Sequence, residues 1–306
     1  MPIGTRLVFL RSLSMLEITR PALNFMGTTM AGSGAALALM RTSSQEPPWL
    51  HIVLGVIAVF ASVGAMHTFN DYVDRIRDKA IWPRRPLPSG RVRPREALAL
   101  AVASLGLGLA IALTAFNQTC FVIMLMTAAL GLVYTTYLRN RIGYLSLPPI
   151  VGLIPVGGYA AFAPGTVLSD PVIWLIYLIT VFWQSGHILV YSPAHGLTVD
   201  GGVTRTAVPA FVKRLTPGGT AKLAFVFFVA LLGVNTYFSL ATPMSFVYLS
   251  ITSTFGLFTV ISSLRLVKET SESNSVKTFK VASTYAIILF LAITLELLTR
   301  LYVLRL

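Results

Sequence analysis

The sequence predicts an all-α integral membrane protein, about nine transmembrane helices in a single bundle. Three observations predict it. The 306-residue chain is 55% hydrophobic and only 11% charged, with a mean hydropathy of +0.75, whereas a soluble domain carries about 25% charged residues. Its apolar residues fall into continuous runs near the length of about 20 that a helix needs to cross a bilayer. Those runs do not alternate, which sets aside the closed β-barrel, the other way to satisfy the backbone in lipid.

The expected spans are 18–41, 49–70, 96–116, 119–138, 143–163, 171–193, 221–241, 244–264 and 280–299. Basic residues precede the first of them, as in a signal peptide. The run is long and no small-residue cleavage site follows a short apolar core, so we read it as a retained span. The fifth contains Pro148, Pro149, Pro155 and the pair Gly157–Gly158, and is expected to be broken. No polar linker is long enough to divide the chain, which predicts one domain over 1–306. Cys120, the single cysteine, lies in an apolar run and is read as a packing residue.

The net charge of +13 raises nucleic acid as a partner, but the distribution of charge answers otherwise. With the N terminus in the cytoplasm, 21 of the 24 basic residues fall on cytoplasmic segments and only Arg41, Arg300 and Arg305 on the other side. That is the positive-inside bias of an odd number of spans, so the partner is the lipid bilayer. Two long cytoplasmic loops result, about 71–95 and 191–222, and function is sought there.

The first loop opens with Asp71, Asp74 and Asp78. At about 100° per residue these three lie within roughly 60° of one another on one helix face. Asn70 and His67 sit on or beside the same stripe. Carboxylates stacked at a membrane surface repel one another unless a cation compensates. Mg2+ suits them, since it binds one or two carboxylates together with substrate phosphates. The competing reading is a juxtamembrane network with Arg75, Arg77 or Lys79. Downstream, Trp82 to Arg91 form a proline-stiffened turn that supplies Arg85. A guanidinium presents a fork of donors to phosphate oxygens. Anionic lipid head groups are the other ligand such arginines take.

The residues Asn70-Asp71-Tyr72-Val73-Asp74-Arg75-Ile76-Arg77-Asp78, followed by Arg85-Pro86-Leu87-Pro88-Ser89-Gly90-Arg91, resemble the NDxxDxxxD and RPLPSGR motifs of the UbiA superfamily of intramembrane prenyltransferases, which includes UbiA-type terpene cyclases. The early Thr19-Arg20-Pro21 fits as well. The resemblance implies nine helices with an active site opening to the cytoplasmic face. It implies ionisation of an allylic prenyl diphosphate, with Mg2+ on Asp71, Asp74 and Asp78 and with Asp200 opposing them. Arg85, Arg139 and Arg205 would offset the diphosphate charge.

The family's second motif usually carries two or three aspartates. Here the stretch from Trp183 to Thr206 holds only Asp200, with His195 where relatives carry Asp and Arg205-Thr206 in place of Lys-Thr. His195 is a candidate metal ligand, hydrogen-bond donor or general base, and capping competes as a role for Asp200. Asn24, Phe69, Tyr134, Tyr137, Trp183, His187 and Tyr191 are candidates to line the prenyl pocket, against ordinary packing inside the bundle. Arg139 has a competing role as a positive-inside anchor.

The expected function is Mg2+-dependent transfer of a prenyl group to an aromatic acceptor. The alternative is acceptor-free cyclisation to a terpene, and a further one is a non-catalytic lipid-binding protein or transporter. No nucleic acid is expected as a partner.

Overall fold

The computed structural model describes residues 3–196 and 216–305, with side chains over 11–190, except Ile81, and over 216–305. Most of those residues are helical, with no strand among them. The helices are α1 (Ile3–Ile18), α2 (Pro21–Arg41), α3 (Trp49–Ile81), α4 (Pro94–Ile111), α5 (Gln118–Val133), α6 (Arg139–Arg141), α7 (Pro148–Val151), α8 (Leu153–Phe162), α9 (Pro171–Gly196), α10 (Pro217–Ala241), α11 (Phe246–Lys268) and α12 (Glu272–Thr299).

Among the described residues eight helical stretches are long and apolar enough to cross a membrane, the first Trp49–Ala80 and the last Glu272–Leu304. The span expected over 18–41 is the 21-residue α2, whose Asn24, Thr28, Thr29 and Ser33 dilute its hydropathy. The chain breaks before it at Arg20, which takes the left-handed region with φ 54°. The expected fifth span is indeed broken, into a 3-10 turn at Tyr144–Ser146, then α7 and α8. Proline lacks the N–H that an unbroken ladder requires.

The chain forms two compact units. The first comprises Met1–Thr28 and Pro48–Thr136. In it α3 packs along α4 and also touches α1 and α5. The loop after α3 is held down by its apolar residues: Leu87 and Val92 are buried with Ile18 and Ala97, and Tyr72, Met15 and Leu100 close over them. Its backbone is bonded as well, Val92 N–H to Pro86 O at 3.0 Å and Ser89 N–H to Arg85 O at 3.0 Å. Gly90 turns it at φ 77°, a conformation that side chains disfavour.

The second unit comprises Thr29–Pro47 and Tyr137–Leu306. Helices α9, α10, α11 and α12 pack in a ring, each against the next. Asn235 ties α10 to α11 by donating to Thr252 at 3.0 Å and accepting from the Tyr248 hydroxyl at 2.7 Å, hydrogen bonds that join helices where burial alone drives little association. The second half of α2 crosses α8 through glycines. A Cβ at Gly34 would fall on the carbonyl of Pro155, and one at Gly158 on that of Ala31.

Asp170 closes the loop between α8 and α9. It accepts from Arg41 Nε at 2.8 Å, the Tyr159 hydroxyl at 3.0 Å and the Val172 N–H at 2.9 Å. Burial by itself would raise the pKa of this carboxyl, but the Arg41 guanidinium and the other donors hold it below the ordinary value.

Candidate active site

Helix α3 carries Asp71, Asp74 and Asp78 along one face, and all three are buried, at 3%, 6% and 3% exposure. Three negative charges cannot be withdrawn from water unpaired, and the chain answers with three arginines. Arg20, aimed by the left-handed corner between α1 and α2, bonds Asp71. Arg77 bonds Asp74 at 2.7 Å and lies 3.9 Å from Asp78. Arg85 donates to Asp78 at 2.8 Å and lies 3.6 Å from Asp71, with its guanidinium 4.9 Å from the ring centre of Trp82.

The proline-rich loop therefore carries its arginine onto the aspartate stripe, as its sequence anticipates. Arg91, from the same loop, forks onto Glu17 of α1 at 2.6 and 2.9 Å and fastens the loop in place. Arg20, expected among the cytoplasmic basic residues and within the Thr19-Arg20-Pro21 that fits the family, stands at the left-handed corner before Pro21 and meets Asp71. Arg77 was weighed as an ion-pair partner of Asp74 and Asp78, and the structure pairs it so. Arg75 instead lies over the ring of Tyr72 at 4.6 Å.

Asn24 of α2 is wholly buried, and neither its amide nitrogen nor its oxygen has a hydrogen-bond partner among the described residues. It sits against α3 at Gly64, where a Cβ would lie 2.9 Å from the amide nitrogen. Asn70 is half-buried on α3. The ring of Phe69 lies 6.4 Å from that of Tyr72, and Tyr134 is buried in the π-turn that follows α5.

The second unit holds the remaining candidates whose side chains are described. Arg139 is 8% exposed in α6. Trp183, fully buried in α9, donates its indole N–H to Ala282 O at 2.8 Å. His187 stacks on Trp183 at 4.9 Å and meets Phe279 at 4.3 Å, and its Nδ1 is buried with no partner among the described residues. Tyr137 is 56% exposed, with Arg141 over its ring at 5.8 Å, which is poor placement for a cavity wall. Tyr191 and His195 lie on the backbone of α9, but their side chains, like Asp200 and Arg205 altogether, fall outside the described residues.

Among the described residues no three His, Cys, Asp or Glu side chains are gathered closely enough to hold a metal ion. The aspartates share a face and each turns to a guanidinium. As a donor set they still suit Mg2+, being hard carboxylate oxygens that are buried and ringed by groups able to pass to phosphate.

The UbiA prenyltransferase family matches residues 26–294 of the chain. Digeranylgeranylglyceryl phosphate synthase of Methanosarcina mazei is 27% identical over 249 residues, 80% of this chain and 83% of its own length. Protoheme IX farnesyltransferase of Aeropyrum pernix is 29% identical over 293 residues, 94% of this chain and 88% of its own. Among solved structures, the apo form of a UbiA homolog from Aeropyrum pernix K1 superposes with a TM-score of 0.72 at 21% identity, covering 90% of this chain and 98% of that one. A UbiA homolog from Archaeoglobus fulgidus bound to GPP and Mg2+ gives 0.62 at 19% identity, over 92% and 99%.

Proposed function

Because the chain belongs to the UbiA prenyltransferase family, we propose that it transfers the prenyl group of an allylic prenyl diphosphate to an aromatic acceptor, in a Mg2+-dependent reaction at the aspartate face of α3. The observation that carries this reading is the buried stripe of Asp71, Asp74 and Asp78 matched by Arg20, Arg77 and Arg85. Mg2+ would be held by one or two at a time of Asp71, Asp74 and Asp78 together with the diphosphate oxygens, with Asp200 as a further candidate, and when bound supplies charge neutralisation to the departing diphosphate.

The arginines supply the rest of the anion's surroundings. Arg85 bonds one carboxylate and nears a second, so turning to a phosphate oxygen exchanges one charge-assisted bond for another rather than opening a bare cation. Arg20 stands in the same relation to Asp71. Donors already aimed where negative charge accumulates lower the barrier without reorganising. Asn24 offers a buried donor and acceptor that a substrate would satisfy. The basic bias of the loops supports placing the N terminus, and the aspartate end of α3 with it, on the cytoplasmic side.

The test uses the full chain in detergent with Mg2+ and C10, C15 and C20 prenyl diphosphates, with and without aromatic acceptors. Prenylated acceptor is expected, lost in Asp71→Ala and Asp74→Ala. A cyclic product formed without acceptor would replace transfer by cyclisation, and silence in every arm from folded protein would sink the enzymatic reading.

A further inference from the structure

Arg20 and Arg85 come from different elements, the corner after α1 and the loop after α3, yet both guanidiniums face the same atom, Asp71 Oδ1. Two donors on separate elements keep a common target only if those elements are held to each other. Arg91 holds them. The five N–H donors of its guanidinium meet five acceptors. Nη1 donates to Glu17 Oε2 at 2.6 Å and to Ser14 Oγ at 3.3 Å, both on α1. Nη2 donates to Glu17 Oε1 at 2.9 Å and to the Arg84 carbonyl at 2.7 Å, and Nε donates to Ser89 Oγ at 3.2 Å.

The ends of this chain of bonds are the backbones of the two arginines. The Arg84 carbonyl belongs to the planar peptide group that begins Arg85, so its bond to Arg91 fixes the plane from which Arg85 departs. On the other side, the Glu17 carbonyl accepts the Arg20 N–H at 3.1 Å, where the chain enters its left-handed corner. Glu17 therefore holds the loop with its side chain and the corner with its backbone. Its bridge to Arg91 is exposed, at 48% and 42% of the two side chains, and exposed ion pairs contribute little to stability. Helix α1 also has other attachments, in Ile18 buried against Leu87 and Val92 and in the pairing of Arg11 with Glu96. What the bridge adds is alignment.

We propose that Glu17 is a positioning residue: through Arg91 it sets Arg85 against Arg20, and the two guanidiniums keep the spacing at which one diphosphate meets both. The inference rests on the reading of Arg20 and Arg85 as diphosphate donors. Misplacing such groups by about 1 Å costs on the order of 100-fold in rate, and a bridge that only aligns them is expected to carry about ten-fold of that.

The experiment takes two readouts on the full chain in detergent. Trp82, whose ring centre lies 4.9 Å from the Arg85 guanidinium, reports the place of Arg85 without turnover. Its emission is the difference between each protein with and without Trp82→Phe. Glu17→Ala is expected to move that emission toward the value in Arg85→Ala. The same variant should raise KM for a C10 prenyl diphosphate about ten-fold and leave KM for the aromatic acceptor unchanged. Glu17→Gln, which keeps the size and one acceptor, should fall between Glu17→Ala and wild type. Arg11→Ala removes the other ion pair of α1 and should change neither readout. Melting temperatures within about 4 °C of wild type show that the fold is kept. Unchanged Trp82 emission in Glu17→Ala, an equal rise in both KM values, or the same effects from Arg11→Ala would each overturn the proposal. If wild type turns over no prenyl diphosphate the proposed reaction falls, and the Trp82 signal still decides whether Glu17 places Arg85.

Discussion

Arg85 donates to Asp78 at 2.8 Å while standing 3.6 Å from Asp71, so one guanidinium from the loop spans two buried carboxylates seven residues apart on α3. An ammonium has no fork with which to do this. Arg85→Ala is expected to lower prenyl transfer by about 100-fold, the usual loss for one preorganised donor. Arg85→Lys should recover only part of it. Steady-state kinetics on both, beside their melting temperatures, separates this loss from misfolding.

Arg20 combines two roles that substitution can divide. Its side chain bonds Asp71, and its backbone holds φ 54°. Arg20→Gly relieves the backbone and Arg20→Ala does not, so the glycine variant should be the more stable by about 1 kcal/mol. Both should lose activity alike, because neither offers a guanidinium. If activity instead follows stability across the pair, the charge contributes nothing.

Asn24 buries an amide without a partner among the described residues, a burden of about 1–3 kcal/mol. Asn24→Leu, with the same number of side-chain heavy atoms and the same branching, is expected to melt higher than wild type in the absence of substrate. The same change should raise KM for the prenyl diphosphate or lower kcat. A variant that is both less stable and fully active would show that the amide is satisfied within the protein.

Asp170 provides a pH dependence. Its carboxyl is held below the ordinary value by Arg41 and its other donors. The stability this contributes is complete above about pH 4 and is lost as pH falls through the lower, folded value. Melting temperatures of wild type and Asp170→Asn, followed from neutral pH downward, should differ most at neutral pH and converge in acid. A gap independent of pH would assign Asp170 a packing role alone.

Gly34 lets α2 approach α8 until backbones meet, and a Cβ there would fall on the Pro155 carbonyl. Neither partner is a flexible side-chain tip, so the helices themselves must part. Gly34→Ala is expected to cost about 1–3 kcal/mol, the typical range for overpacking. Thermal unfolding in detergent measures it, and an unchanged midpoint would mean that the crossing readily gives way.

Much of this protein follows from local pattern. Continuous apolar runs set where helices cross, because lipid offers the backbone no other partner. The spacing of Asp71, Asp74 and Asp78 places them on one face before any fold is known, since helical periodicity is a property of neighbours in the chain. The breaks at Pro148, Pro149 and Pro155 are legible for the same reason. The role of Tyr137 is not legible in the same way, because an aromatic ring in an apolar run serves lipid, packing or substrate equally well and only its exposure, 56%, separates it from a packed core residue.

Tertiary structure decided the pairings. That Arg20 reaches Asp71 across 51 positions depends on a single left-handed corner, and that Arg85 reaches Asp78 depends on how the loop packs through Leu87 and Val92. The sequence by itself determined the helices and the aspartate face, because both are written in spacings of a few residues. Which cation meets which anion was left to the fold, because charge acts through space and the distances that govern it exist only once the helices are packed.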